Sequence, residues 1–245
     1  MRLIEDLTAR LRDALAGRSS SAPGAADPAP APLVDSRPPL RAGWVQPDRT
    51  TCGSACLVAA RALGDPSYAA WLETGEVGGR ARDPRTPGRR FADEVLATHL
   101  RTNRWTDAAG RLRWPWPRGL GTTPWALVQE LSATGGTTPP GTGHRVRTIS
   151  PRRRGEAYDA VARAVANGHA VPLYVGNRLL PRHVVLVVDV AAGVDEPWLA
   201  AYDPSSGRLV RLPREDFVRG DLRVAGWSEP WFAVLPTAGR AAAAD

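Results

Sequence analysis

Gln46-Pro47-Asp48-Arg49-Thr50-Thr51-Cys52-Gly53-Ser54-Ala55-Cys56-Leu57-Val58-Ala59-Ala60 is the stretch whose reading decides this chain. From Gly53 onward the residues are small and helix-favouring, and Gly64 before Asp65-Pro66 ends the run. That pattern predicts a helix with a defined start and stop. Thr50 or Thr51 is the expected N-cap, which puts Cys52 in or just before the first turn. Free backbone N–H groups and the positive end of the helix dipole meet there, and both favour thiolate over thiol. Cys52 is therefore a candidate nucleophile, and a nucleophile needs a base, an orienter and an oxyanion donor.

The chain around it is 245 residues long, 43% hydrophobic and 23% charged. Those values describe a globular protein with room for a real core. No apolar run approaches the roughly 20 residues of a membrane span. Near the N-terminus, Glu5, Asp6, Arg10, Arg12 and Asp13 interrupt any secretory core. Two cysteines four residues apart do not build a disulfide framework, and a reactive thiol suits a reducing, cytoplasmic setting. The net charge of +7 rests on arginine alone, because the chain has no lysine. With its abundant Ala, Gly and Pro, this is the bias of a GC-rich genome, and a bacterial source is the expectation. The arginines are scattered apart from Arg89-Arg90 and Arg152-Arg153-Arg154. No zinc-ligand spacing or aromatic RNA-binding motif accompanies them, so nucleic acid is not the expected partner, and no cofactor or metal is called for.

Taken in order, Leu3, Leu7, Leu11 and Leu15 predict an amphipathic helix over 1–17, which docks on its own domain or, as the alternative, anchors to a membrane or partner. Residues 18–41 are rich in Ser, Ala and Pro and read as a linker or surface strap. The main domain is expected over 42–237, with a tail at 238–245. After the Cys52 helix come short helices near 66–74 and 89–101, with a Gly/Pro/Arg-rich loop between them. A Trp-Pro-rich loop runs over 105–121, and a helix starting at Pro124 reaches about Leu131. A further helix is expected over 155–166. Strands are expected at 144–149, 170–175, 182–190, 198–202, 208–212 and 231–235. Helices first and antiparallel strands later is an α+β pattern.

Four histidines compete for the role of base. His99 reads as a surface residue, His144 as structural, and His169 as a favourable charge at a helix C-terminus. His183 differs, because it opens the most apolar strand, Val184 to Val188, where a polar ring needs a partner. Asp189 lies too far along the same strand, roughly 20 Å away. Asp203 qualifies if the next strand pairs antiparallel in a hairpin centred on Gly193, which sets Asp203 directly opposite His183. Pro204 would then end the strand with the carboxylate at its rim. Asp-Pro-Ser-Ser-Gly is also ordinary turn chemistry, so a purely local role for Asp203 stands beside the catalytic one. Gln46, six residues before Cys52, is the candidate to aim a side-chain N–H at an oxyanion next to the Cys52 backbone N–H.

Glutamine, five residues, Cys-Gly at a helix start, and later a strand-opening His and an Asp-Pro together resemble the papain-like cysteine peptidases. The nearest likeness is to the C39-like, bacteriocin-processing-like branch. It covers about 43–65 and 156–235, while 75–150 reads as an unmatched insertion. The resemblance implies a papain-like fold, with the nucleophile helix of an N-terminal helical part packed on a C-terminal antiparallel sheet. It implies Cys52 as nucleophile, His183 as base, Asp203 as orienter and Gln46 as oxyanion donor, with Cys56 one turn on in the core. Members of that branch are often fused to a transporter and cleave leader peptides after a double glycine. This sequence has no membrane span or nucleotide-binding loop, so that substrate does not carry over.

The function these features point to is a cysteine hydrolase, a peptidase or isopeptidase acting through a thioester on a peptide or protein substrate. A transglutaminase-like acyl transfer uses the same residues with an amine as acceptor. A binding or scaffold protein that keeps the fold without turnover is the reading from another class.

Overall fold

The structure is a computed structural model, and it describes residues 8, 10, 12, 13, 40, 43–76, 82–103, 121–134, 142–191 and 197–237. Beside the helical residues 8, 10, 12 and 13, six α-helices and six strands with defined bounds lie in this part of the chain. The helices are α1 (Cys52–Gly64), α2 (Pro66–Thr74), α3 (Pro87–Thr102), α4 (Pro124–Thr134), α5 (Arg154–Ala166) and α6 (Arg214–Arg219). The strands are β1 (His144–Thr148), β2 (Val171–Gly176), β3 (Pro181–Ala191), β4 (Trp198–Asp203), β5 (Arg208–Pro213) and β6 (Glu229–Pro236). They form one antiparallel sheet in the order β1-β6-β2-β3-β4-β5. The α+β class is as expected. Helix α6 was not anticipated; its six residues, Arg214–Arg219, are too few for a periodic signal.

Alternation along the central strands divides the core between the two faces of the sheet. Tyr174, Val184, Leu186, Val188 and Tyr202 pack against Cys56, Leu57, Ala59 and Ala60 of α1. Leu173, Val175, Val185, Val187, Leu199 and Ala201 pack against Tyr158, Val161 and Val165 of α5. Helix α1 is buried almost all round, since its outer side meets a third cluster of Trp44, Tyr68, Leu72, Phe91 and Val95. Its small residues make this possible. A Cβ on Gly53 would stand 2.8 Å from the Thr122 Cβ and 3.2 Å from the Leu127 side chain.

Three of the six helix starts follow one grammar, while α1, α5 and α6 have no capping side chain. Asp65, Thr86 and Thr123 accept a hydrogen bond from the third residue onward (Tyr68, Arg89 and Ala126), and each precedes a proline at α2, α3 and α4. This is ordinary N-capping. Thr51 is the N-cap of α1, but its side chain caps nothing. The hydroxyl instead donates to the Asp48 carbonyl at 3.0 Å. The first turn of the helix that begins with Cys52 therefore has no capping side chain.

Much of the N-terminal helix, most of the 18–41 strap, the Trp-rich loop over 104–120, the hairpin tip at 192–196 and the 238–245 tail lie outside the described residues. Where the strap is described, at Leu40, it is buried on the α1 face of the sheet.

Candidate active site

Cys52, His183 and Asp203 are all buried, at 2%, 6% and 4% exposure. The His183 ring donates from Nε2 to Asp203 Oδ1 at 2.7 Å. With Nε2 taken, Nδ1 is the nitrogen left for Cys52. Burial works against a charged ring, but hydrogen bonding to Asp203 and Cys52, and their negative charge, outweigh it and raise His183 from 6.5 to about 9. For Asp203, burial is likewise opposed, here by His183 and by the Ser205 N–H and hydroxyl, and its carboxyl sits at about 2. An imidazolium beside the Asp203 carboxylate is thus the favoured form of the ring at neutral pH.

The strand register differs from the symmetric hairpin. Leu186 faces Tyr202 and Val187 faces Ala201, and the pairing shifts between Val187 and Asp189. Extending that register sets Asp203 across from Val185, two residues beyond the expected partner. The hairpin closes off-centre, with Ala191 opposite Trp198, three residues out of the symmetric register, and the irregularity at Val187–Asp189 takes back one of the three. A displacement of two keeps the side chain on the same side of the sheet, and a diagonal neighbour remains within reach of a long side chain. Hence the His183–Asp203 bond survives the error in register.

Asp203 is also not at an open rim. Its carboxylate accepts from Ser205 N at 2.9 Å, Ser205 Oγ at 2.8 Å and Ser206 Oγ at 3.1 Å. The turn chemistry and the histidine contact are one arrangement. The Asp-Pro-Ser-Ser turn fixes the carboxylate that fixes the ring, so the two readings of Asp203 do not compete.

Gln46 is brought to the same place by its backbone, whose N–H donates to the Pro204 carbonyl at 2.8 Å. The neighbouring Trp44 carbonyl accepts from Tyr202 Oη at 2.6 Å, so the segment lies along the end of β4. Gln46 Nε2 donates to the Asp48 carbonyl at 2.7 Å, and Oε1 is buried with no partner among the described residues. This bond orients the amide and leaves its second N–H for another acceptor.

Gly121 and Thr122 belong to the site, and nothing in the sequence pattern marked them. Gly121 has φ +72°, and a Cβ there would stand 2.8 Å from the Thr50 carbonyl and 3.8 Å from Cys52 Sγ. The next carbonyl, of Thr122, accepts from Tyr174 Oη at 2.8 Å. Only the tertiary crossing of this loop over the α1 start reveals the role of a glycine in Gly-Leu-Gly-Thr-Thr-Pro.

The other histidines resolve differently from one another. His99 is not a plain surface residue: it is half-buried, with Nδ1 3.4 Å from the buried Ser54 hydroxyl, which lies 3.1 Å from Thr122 Oγ1. Burial lowers its pKa, with Asp48 opposing. One face of α3 turns toward α1, and His99 lies on it. His169 is lowered by burial, which disfavours the charged role at a helix C-terminus. His144 is half-buried with Nδ1 3.4 Å from Ser132 Oγ, a structural contact. Cys56 is fully buried and donates to the Val184 carbonyl at 3.5 Å, and burial pushes its thiol well up. Among the described residues no three His, Cys, Asp or Glu side chains are grouped to hold a metal. Within the same residues no helix is long and apolar enough to cross a membrane.

No protein-family model, curated protein or solved structure matches the chain.

Proposed function

We propose that the chain is a papain-like thiol hydrolase that cleaves a peptide or isopeptide bond through a thioester on Cys52. The observation that carries the reading is the buried 2.7 Å His183–Asp203 bond beside a helix start that begins with Cys52 and has no capping side chain. In this reading the Cys52 thiolate attacks the carbonyl carbon while His183 carries the proton. The oxyanion takes the Cys52 backbone N–H and the second N–H of Gln46. His183 then protonates the leaving amine, and the carbon–nitrogen bond breaks to give the thioester. Water, deprotonated by His183, attacks the thioester and releases the acid and the thiol. Both cysteines are free thiols, which fits a reducing, cytoplasmic setting.

The chain order also supports a papain-like arrangement: nucleophile on an N-terminal helix, then histidine and aspartate at the ends of later antiparallel strands. An amine in place of water would give acyl transfer from the same thioester.

The test is alkylation by iodoacetamide between pH 5 and 9, read by mass spectrometry, with Cys56 as internal control and His183→Ala alongside. Fast labelling of Cys52 at pH 6 that the substitution abolishes supports the proposal. Labelling of Cys52 as slow as that of Cys56, and indifferent to His183, refutes it and favours a binding protein. A peptide library with hydroxylamine trapping of the acyl-enzyme then separates hydrolysis from transfer.

A further inference from the structure

A second buried polar cluster lies at the end of the sheet that carries His183, and it includes a residue from far upstream. Residues 8, 10, 12 and 13 are helical, and Arg12 among them is 4% exposed. Its Nε and Nη2 donate to the Ile149 carbonyl at 3.1 and 2.6 Å, and Nη2 also donates to the Pro230 carbonyl at 2.6 Å. The guanidinium lies 4.0 Å over the Trp231 ring, and Nη1 is 3.9 Å from Glu229, which Arg154 also pairs. Burying an arginine is costly, so docking alone does not call for one where an aliphatic residue would serve.

Two connections run from this cluster to the base. The Trp231 indole donates from Nε1 to the Asn177 carbonyl at 2.8 Å. Asn177 organises the turn between β2 and β3: its Oδ1 accepts from Leu179 N and Leu180 N, both at 2.9 Å, and its N–H donates to the Leu180 carbonyl at 3.1 Å. Strand β3 starts at the next residue, Pro181, and reaches His183 at its third position. Independently, Pro230, whose carbonyl Arg12 holds, pairs with Val175, and Val175 pairs on its other side with His183.

We infer that Arg12 is a positioning residue for His183, acting through the Trp231 indole and the Asn177 turn, so that docking of the N-terminal helical turn tunes the reactivity of Cys52. The inference rests on His183 serving as the base of Cys52. Removing Arg12 leaves Arg154 on Glu229, so no buried carboxylate is orphaned and the fold should survive. A milder variant tests the route directly: Trp231→Phe keeps a ring under the guanidinium and deletes the donor to Asn177 together with part of the ring's bulk.

The experiment compares Arg12→Ala, Trp231→Phe and the double variant by amide exchange and by the pH profile of Cys52 alkylation. Each single substitution should speed exchange at Leu179 and Leu180 and slow alkylation at pH 7 about fivefold, the equilibrium consequence of one lost hydrogen bond. The double variant should be no worse than the worse single one, because both act on one route. Added guanidinium ion should restore alkylation in Arg12→Ala and not in Trp231→Phe. Unchanged exchange and alkylation in both singles, with wild-type Cys52 reactive, overturns the inference alone. Wild-type Cys52 no more reactive than Cys56 overturns the base assignment first, and the inference with it.

Discussion

Asp203→Asn isolates the charge that holds the His183 ring. The amide is nearly the same size and can still accept from Ser205 N through Oδ1, so the 203–207 turn should persist. The ring loses its anion: Asn offers one acceptor oxygen, and the Ser205 and Ser206 hydroxyls compete for it. In the wild type the ring sits at about 9 against an ordinary 6.5, with burial pulling down and Asp203 and Cys52 pulling up. A fall to 6.5 cuts the charged fraction at pH 7.5 about tenfold, since one pH unit above its pKa a base is about one-tenth charged. Cys52 alkylation at pH 7.5 should therefore drop about tenfold, and the deficit should close below pH 6, where either ring is charged. The assay is iodoacetamide labelling across pH 5–9 with quantitation of the Cys52 peptide. An Asp203→Asn profile that overlays the wild type would refute the reasoning, because the carboxylate would not be setting the ring's charge.

The same pair predicts the pH dependence of stability. His183 is raised on folding, so its contribution is complete below about pH 6.5 and is lost as pH rises through about 9. Asp203 is lowered from 3.8 to about 2, so its contribution is complete above about pH 4 and is lost as pH falls through about 2. Urea midpoints should accordingly be highest between about pH 4 and 6.5, with the alkaline decline absent in His183→Ala. Gly121→Ala forces a Cβ onto the Thr50 carbonyl at φ +72°. It should cost about 1–2 kcal/mol in urea unfolding and slow Cys52 labelling. Cys56→Ser puts a hydroxyl in a fully buried site; it should cost about 1–3 kcal/mol yet leave the labelling of Cys52 unchanged at neutral pH.

The four candidate site residues were legible as a set, from local pattern and from spacing. Cys52 stands at a helix start, His183 opens an apolar strand, Asp203 precedes a proline, and Gln46 keeps a fixed distance from the cysteine. Periodicity also delivered the class of every element it named among the described residues, because alternation and Gly/Pro punctuation are properties of neighbours along the chain. What depends on contacts between distant segments was not readable. The hairpin closes three residues out of the symmetric register, the irregularity at Val187–Asp189 takes back one, and only the even remainder kept Asp203 beside His183. The missing cap at Thr51 depends on where Asp48 folds back, and the role of Gly121 depends on a loop crossing Cys52. In sequence His99 reads as a surface residue, because a helical stretch of Arg and Thr does not declare which face meets α1.

Arg12 draws the same line most sharply. As a residue in a leucine-spaced helix it reads as solvated charge. In the fold it is held by two backbone carbonyls, a carboxylate and an indole that lie 137 to 219 positions away. The sequence by itself determined which residue types were available for thiol chemistry and on which kind of element each sits, since those follow from local pattern. The tertiary structure decided which of them meet, because hydrogen-bond geometry and burial arise only when separate segments are packed together.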